Sequence, residues 1–155
     1  MTPRWVTEAA VRTMHAKLLG EFGGLPGLPR AELLQSSLAR PQQLLAYGEP
    51  SPSLAQLAAA YGFALARNHC FSDGNKRIAL AVIDVFLRIN GSGLTATEED
   101  AADTIRRLAA GELPSCGHAT RLSRGPREET TAGGARYARN AACPGMVPAA
   151  GTLDR

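Results

Sequence analysis

The sequence contains few aromatic residues, only three cysteines and no long apolar run, and these shortages exclude several classes of protein. Cys70, Cys116 and Cys143 are odd in number and lack the spacing of zinc ligands, so neither a disulfide framework nor a structural zinc site is expected. The most apolar run, residues 78–87, is short and contains Asp84, and the first residues lack the apolar core of a signal peptide. We therefore expect a cytoplasmic protein without a membrane partner.

A basic surface stripe is also missing, although the formal net charge is +3 and the pI is about 9.0. Residues 1–113 contain eleven Lys and Arg against eleven Asp and Glu, whereas residues 114–155 contain six Arg against three acidic residues. The whole positive excess thus lies in the C-terminal part, and the rest has no basic stripe with interleaved aromatic residues. Direct binding to nucleic acid is not expected.

Convincing strand patterns are absent as well, except for a short stretch at residues 4–6 that could be extended. Residues 7–22 have an apolar face of helical period that begins after Thr7, a good N-cap, and ends at Gly23-Gly24. That face consists of Val11, Met14, Leu18, Leu19 and Phe22, with His15 beside it as a structural residue. A short helix is predicted over residues 32–39, and Pro41 predicts the start of another that runs to residue 46.

Three further helices follow. Ser53 and Gln56 form a capping box that predicts a helix over residues 54–67. Residues 78–90 are apolar nearly all round, as expected of a buried central helix, and Thr97 is a good N-cap for a last helix that ends at Gly111. The prediction is an all-α domain over residues 1–113, a helical bundle around one central buried helix. Residues 114–155 contain four Pro and six Gly without apolar periodicity, which predicts a divergent, disordered tail.

The chemically informative segment is residues 69–77, His-Cys-Phe-Ser-Asp-Gly-Asn-Lys-Arg. Its last three residues open the central helix, where backbone N–H groups lack intrahelical partners and the macrodipole is positive, so this end attracts anions. Lys76 and Arg77 oppose that dipole, a mismatch that a bound phosphate would reverse. Gly74 allows a positive φ and close approach of a phosphate oxygen. An acidic neighbour, Asp73, is compatible with phosphate if Mg²⁺ bridges them.

Each residue of the segment also has an ordinary structural interpretation. His69 could accept a proton from a hydroxyl near neutral pH, but a single His near a helix start is more often a structural residue. Asp-Gly-Asn alone is a common turn. Two cations at a positive helix end are not explained by a solvated turn, so the segment as a whole favours an anion site. Cys70 is better interpreted as a small buried thiol than as a nucleophile, and Phe71 as an anchor to the core.

The segment resembles the signature of the Fic/Doc family, His-x-Phe-x-(Asp/Glu)-Gly-Asn-(Gly/Lys)-Arg, and the Lys in its eighth place resembles the death-on-curing, or Doc, toxins. Residues 3–6, 23–27 and 38–41 resemble the N-terminal half of such toxins, so the similarity covers about residues 3–113. Two positions depart from the pattern, since Cys70 stands where Pro is common and Ile78 where Thr is frequent. Neither departure affects a residue to which the resemblance assigns a catalytic or binding role.

The resemblance implies a role for each matching residue. His69 would activate a Ser or Thr hydroxyl of a target protein, and Lys76 would assist the transfer. Asp73 would bind Mg²⁺. The nucleotide would be bound by a set that consists of Arg67, Gly74, Asn75, Lys76 and Arg77.

The eighth position separates two chemistries within the resemblance. Fic proteins that transfer AMP usually have Gly there and often a second Arg at the place of Leu80, whereas Lys76 is typical of Doc-like phosphotransferases. The resemblance therefore implies transfer of the γ-phosphate of ATP to a translation factor, with a Thr of elongation factor Tu as the expected acceptor. It also implies a separate Phd-like antitoxin, because no inhibitory-helix motif of the Fic type is found. AMP transfer and a catalytically inactive nucleotide- or partner-binding module remain as alternatives.

Overall fold

The computed structural model describes residues 2–94 and 96–110. Within these ranges the chain forms five helices and no strand, which confirms the predicted all-α class. The predicted tail at residues 114–155 lies outside the described residues, as does the helix end predicted at Gly111. The helices are α1 (Glu8–Phe22), α2 (Ala31–Tyr47), α3 (Leu54–Arg67), α4 (Asn75–Ile89) and α5 (Glu98–Ala110).

The helix starts follow from the local sequence, because the predicted cap residues satisfy N–H groups that have no intrahelical partner. The hydroxyl of Thr7 accepts a hydrogen bond from the N–H of Ala10 at 3.3 Å. Ser53 and Gln56 form both bonds of the predicted capping box. Thr97 is bonded in the same way to the third residue of α5. Three predicted helix starts are thereby confirmed.

Helix α4 is the centre of the bundle, as predicted, and it contacts α1, α3 and α5. Burying a large aliphatic or aromatic side chain contributes about 1.5–3 kcal/mol, so the fully buried face of α4 fixes its place and direction in the bundle. Helix α2 packs on α3. The α4 side chains with no exposed surface are Ile78, Ala79, Val82, Ile83, Phe86 and Leu87.

The C-terminal end of α4 is fixed to the start of the chain. The side-chain amide of Asn90 accepts a hydrogen bond from the N–H of Arg4 at 2.7 Å and donates to its carbonyl at 3.0 Å and to the carbonyl of Phe86 at 2.8 Å. Trp5 stacks on Phe86, with 5.9 Å between the ring centroids. With this end fixed and the middle buried, the N-terminal end of α4 is held at the opposite side of the bundle.

Two local predictions are wrong. Helix α2 does not break at Pro41, which lies buried inside a single helix that runs from Ala31 to Tyr47. The fixed φ of proline fits a helix, and the packing of α2 on α3 offsets the one backbone hydrogen bond that its missing N–H removes. Phe22 does not face inward but is 66% exposed, because it is the last residue of α1 and its ring lies under the guanidinium of Arg77.

Candidate active site at the start of the central helix

The N-terminal end of α4 lacks the groups that usually neutralise a helix start. Its N-cap is Gly74, with a φ of 77°, so no side chain caps the first-turn N–H groups. The first turn contains no acidic residue. The backbone N–H groups of Asn75, Lys76 and Arg77 have no partner within the helix and are available to an anion. The positive φ predicted for Gly74 is confirmed.

The side chain of Asn75 closes the loop before the helix. Its amide oxygen accepts a hydrogen bond from the N–H of Phe71 at 2.9 Å, and its amide nitrogen donates to the Phe71 carbonyl at 2.8 Å. This pair of bonds joins the first residue of α4 to a point two residues after His69. The Asn75 side chain is therefore engaged in loop closure, which leaves its backbone N–H for a ligand.

Asp73 is held between the start of α4 and the loop that follows α1. One carboxylate oxygen accepts from the N–H of Gly74 at 2.6 Å, and the other accepts from the N–H of Leu25 at 3.3 Å. These backbone N–H groups, that of Gly74 foremost, hold the pKa of the carboxyl below its ordinary value, and the nearby charges of Arg77 and His15 act in the same direction. The carboxylate is thus ionised at neutral pH, as a metal ligand must be.

The two cations of the first turn have different surroundings. Arg77 donates a hydrogen bond to the carbonyl of Gly23 at 2.9 Å, its guanidinium carbon lies 5.9 Å from the ring centroid of Phe22, and Asp73 is close enough to interact with its charge. Lys76 is exposed. One cation is thereby tied to the loop after α1, while the other extends into solvent at the tip of the helix.

His69 and Arg67 lie at the end of α3, on the way into the loop. His69 is exposed and has a φ of 48°, a left-handed conformation that is uncommon for a residue with a side chain and is often found at functional sites. Arg67 is the last residue of α3, and its guanidinium lies over the ring of Phe63 at 5.7 Å. Arg40 of α2 lies over the same ring at 5.2 Å.

Phe71 anchors the loop to the core and Cys70 is a buried thiol, as predicted. Both side chains are buried, Cys70 completely and Phe71 with 4% exposed. Burial raises the pKa of the Cys70 thiol, which disfavours the thiolate that a nucleophile needs. The thiol lies 3.4 Å from the hydroxyl of Ser37, and the Cys70 carbonyl accepts from the N–H of Arg30 at 2.8 Å, so α2 also supports the loop.

The donor groups at this helix end fit a nucleotide with Mg²⁺ better than a metal ion alone. No group of three or more His, Cys, Asp or Glu side chains that could hold a metal occurs in residues 2–94 and 96–110. A single carboxylate is the number that Mg²⁺ often takes from a protein when phosphate oxygens and water complete its coordination. Asp73, next to uncapped N–H groups and two cations, meets that requirement.

The sequence did not predict how closely α1 and the loop after it approach this site. His15 is buried rather than merely beside the apolar face, and its ring contacts both Phe71 and the Asp73 carbonyl. A β-carbon on Gly24 would lie 2.8 Å from an Asp73 carboxylate oxygen, so only glycine fits there without a shift. The consecutive glycines at 23 and 24 were the available signal, but the helix end that they predict does not indicate how closely their loop approaches Asp73.

The helices within the described ranges include none with the length and apolarity that a membrane crossing requires. Comparison with known proteins identifies the family of the chain. Residues 5–87 match the sequence profile of the Fic/DOC family. The chain is 34% identical over 110 residues to Protein kinase doc of Escherichia phage P1, over 71% of this chain and 86% of that protein. It is 44% identical over 75 residues to Toxin Doc of Mycolicibacterium smegmatis, over 48% of this chain and 58% of that one. The chain therefore belongs to the Fic/DOC family, and its relatives there include Doc proteins.

Proposed function

We propose that this protein is a Doc-like toxin that transfers the γ-phosphate of ATP to a Ser or Thr hydroxyl of a translation factor. The observation that carries the proposal is the start of α4, where a left-handed glycine leaves the first-turn N–H groups uncapped between an ionised carboxylate and two cations. Such an end attracts a polyphosphate. The similarity to a protein named as a kinase favours phosphate transfer over other uses of the same nucleotide.

In this proposal His69 is the general base. It accepts the proton of the acceptor hydroxyl while the acceptor oxygen forms its bond to the γ-phosphorus and the bond from that phosphorus to the bridging oxygen breaks, so that ADP leaves. The N–H groups of Asn75, Lys76 and Arg77 bind the phosphate oxygens, with Gly74 allowing close approach. The side chains of Lys76 and Arg77 compensate the charge, and Arg67 contributes from the end of α3.

Asp73 is the residue that would bind Mg²⁺ in this scheme. When bound there, the ion would neutralise part of the negative charge of the phosphates. The contribution of the chain is orientation, because the N–H groups of Gly74 and Leu25 fix the carboxylate before any ligand arrives. A ligand whose rotamer is already set loses little conformational entropy when the metal binds.

The translation factor that we propose as acceptor is elongation factor Tu, modified on a Thr. We further propose that a small Phd-like antitoxin silences the toxin and that both act in the cytoplasm. The named Toxin Doc among the relatives supports a toxin role. Growth arrest on expression without an antitoxin is the cellular result expected, and His69→Ala should abolish it.

Transfer from differently labelled ATP tests the chemistry directly. Purified protein is incubated with elongation factor Tu, Mg²⁺ and ATP labelled at either the γ or the α position. Label from the γ position alone supports the proposal, and label from the α position alone identifies an AMP transferase. Binding of ATP without any transfer to candidate targets would identify an inactive binding module. Lys76→Gly should weaken γ-phosphate transfer, because the side chain that compensates the charge is lost, and it should make room for AMP transfer.

Arg67 and Arg40 form a matched pair for the same assay. Both guanidiniums lie over the ring of Phe63 on the surface, at 5.7 and 5.2 Å, but only Arg67 adjoins the loop that contains His69. Arg67→Ala should reduce transfer, whereas Arg40→Ala should leave it near the wild-type rate. Equal losses in the two variants would argue that the ring stack acts through the fold and that Arg67 has no role at the nucleotide.

A further inference from the structure

We propose that His15, on α1 and outside the signature segment, is a positioning residue that sets the orientation of the peptide unit between Asp73 and Gly74. The inference deepens the proposed function and rests on it for its catalytic consequence, since this peptide unit immediately precedes the proposed phosphate site. Its structural part concerns the free protein and can be tested without any nucleotide.

The His15 ring contacts this loop through a hydrogen bond and a ring stack. The side chain is 5% exposed, and its Nε2 lies 2.8 Å from the carbonyl oxygen of Asp73. A carbonyl can only accept a hydrogen bond, so Nε2 carries the hydrogen and donates it. The ring stacks on Phe71, with 3.8 Å between centroids and an angle of 19° between planes. A β-carbon on Gly74 would lie 3.4 Å from the same nitrogen, which places the ring directly beneath the turn.

The Asp73–Gly74 peptide unit is therefore held at both of its polar ends. Its carbonyl accepts from His15, and its N–H donates to the Asp73 carboxylate at 2.6 Å. Because the imidazole is buried, the carbonyl is directed into the protein and away from the exposed end of α4. The same orientation accompanies the φ of 77° at Gly74. Rotating the peptide would change that φ and break both hydrogen bonds.

The orientation matters because of the charge that each end of a peptide carries. A carbonyl oxygen turned outward would place negative partial charge beside the first-turn N–H groups, where a phosphate is proposed to bind. It would also release the carboxylate of Asp73 from the Gly74 N–H. By holding the carbonyl inward, His15 keeps the helix end positive and the metal ligand oriented, without itself touching the nucleotide.

Three variants test the proposal. His15→Phe keeps a ring for the stack on Phe71 but removes the hydrogen bond. His15→Gln places an amide N–H near the position of Nε2 and should restore much of the effect. Val11→Ala, a cavity in the buried core one turn earlier on α1, serves as the control for general destabilisation.

The first measurement is the rate of amide hydrogen exchange at Gly74 in the free, full-length protein. His15→Phe should accelerate this exchange by about three- to tenfold, because the bond of this N–H to the carboxylate is lost or weakened, whereas His15→Gln and Val11→Ala should leave the rate near that of the wild type. A wild-type exchange rate in His15→Phe would overturn the inference. This result does not depend on any enzymatic activity, so it decides the structural claim even if the proposed phosphate transfer is not observed.

The second measurement is the steady-state transfer reaction at fixed acceptor concentration. Loss of one oriented hydrogen bond should raise the KM for ATP by about three- to tenfold in His15→Phe, with recovery in His15→Gln. An unchanged KM for ATP in His15→Phe would refute the catalytic consequence. If wild-type protein transfers no label from ATP while amide exchange at Gly74 behaves as expected, the proposed function fails and the positioning of the peptide stands.

Discussion

The two ends of α4 are fixed by the same device, which allows a matched pair of substitutions. At the N-terminal end Asn75 bonds both the N–H and the carbonyl of Phe71, and at the C-terminal end Asn90 bonds both the N–H and the carbonyl of Arg4. We predict that Asn75→Ala and Asn90→Ala both destabilise the fold but that only Asn75→Ala opens the loop containing His69.

The magnitudes follow from the hydrogen bonds removed. Each net hydrogen bond contributes about 0.5–1.5 kcal/mol, so the two partly buried bonds of Asn75 correspond to about 1–3 kcal/mol. Asn90 makes three hydrogen bonds, but the two with Arg4 are exposed. The stability lost in Asn90→Ala should therefore lie at the lower end of the same range. For a domain of about 110 residues, a loss of 1 kcal/mol lowers Tm by about 4 °C. Alanine is a better helix former than asparagine, which offsets a few tenths of a kcal/mol.

Cys70 provides the local assay, since its thiol is completely buried within the loop. In a background with Cys116→Ser and Cys143→Ser, the rate of thiol labelling in native buffer reports opening of the loop, and urea unfolding reports global stability. Asn75→Ala should accelerate labelling by about tenfold or more relative to an Asn90→Ala variant of similar global stability. The reasoning is refuted if the two variants label at rates that differ only as their unfolding free energies do.

Three further outcomes are expected. The pKa of Asp73 is lowered, above all by the Gly74 N–H. The carboxylate therefore contributes to stability above the ordinary pKa of 3.8, and this contribution is lost as the pH falls through the lower pKa of the folded state. In urea unfolding measured over a series of acidic pH values, Asp73→Asn should remove that part of the pH dependence. Gly24→Ala should destabilise by about 1–3 kcal/mol in thermal unfolding, because φ is 136° and the new carbon would lie 2.7 Å from a methyl of Leu19. Lys76→Glu should raise Tm and weaken binding of inorganic phosphate, whereas unchanged values of both would contradict the dipole argument.

The helix starts were predictable from sequence because their causes are local. The caps at Thr7, Ser53 and Thr97 each involve residues at most three positions apart, and a reader of the sequence has both partners in view. The central helix was predictable because an apolar surface on nearly all sides has few alternatives to burial. The helix start predicted at Pro41 was wrong because its cause is not local. The packing that keeps α2 intact comes from α3, which follows it in the sequence.

The residues of the candidate site could be predicted from sequence, but the tertiary contacts that orient them could not. Residues 73–77 are neighbours in sequence, so their placement at one helix end follows from the position of the helix. The contacts that orient Asp73 come from Leu25 and His15, which lie 48 and 58 residues earlier in the sequence. Hydrophobic periodicity cannot predict contacts between residues so far apart in sequence. The left-handed conformation of His69 could not be predicted from sequence either, because histidine does not indicate a positive φ as glycine does.

The residues at the start of α4 stabilise the helix less than other residues would at the same positions. This is consistent with a binding site. An acidic residue in the first turn and a Ser, Thr or Asp cap would each stabilise the helix, yet the chain has Gly74, Lys76 and Arg77 there. The structure compensates Arg77 through Asp73 and Gly23, but Lys76 is left facing solvent at the positive end of the dipole. A bound ligand with several negative charges would interact favourably with the positive helix end and with both cations, and would thereby offset their mutual repulsion. The free protein thus keeps at this helix end the electrostatic complement of a polyphosphate.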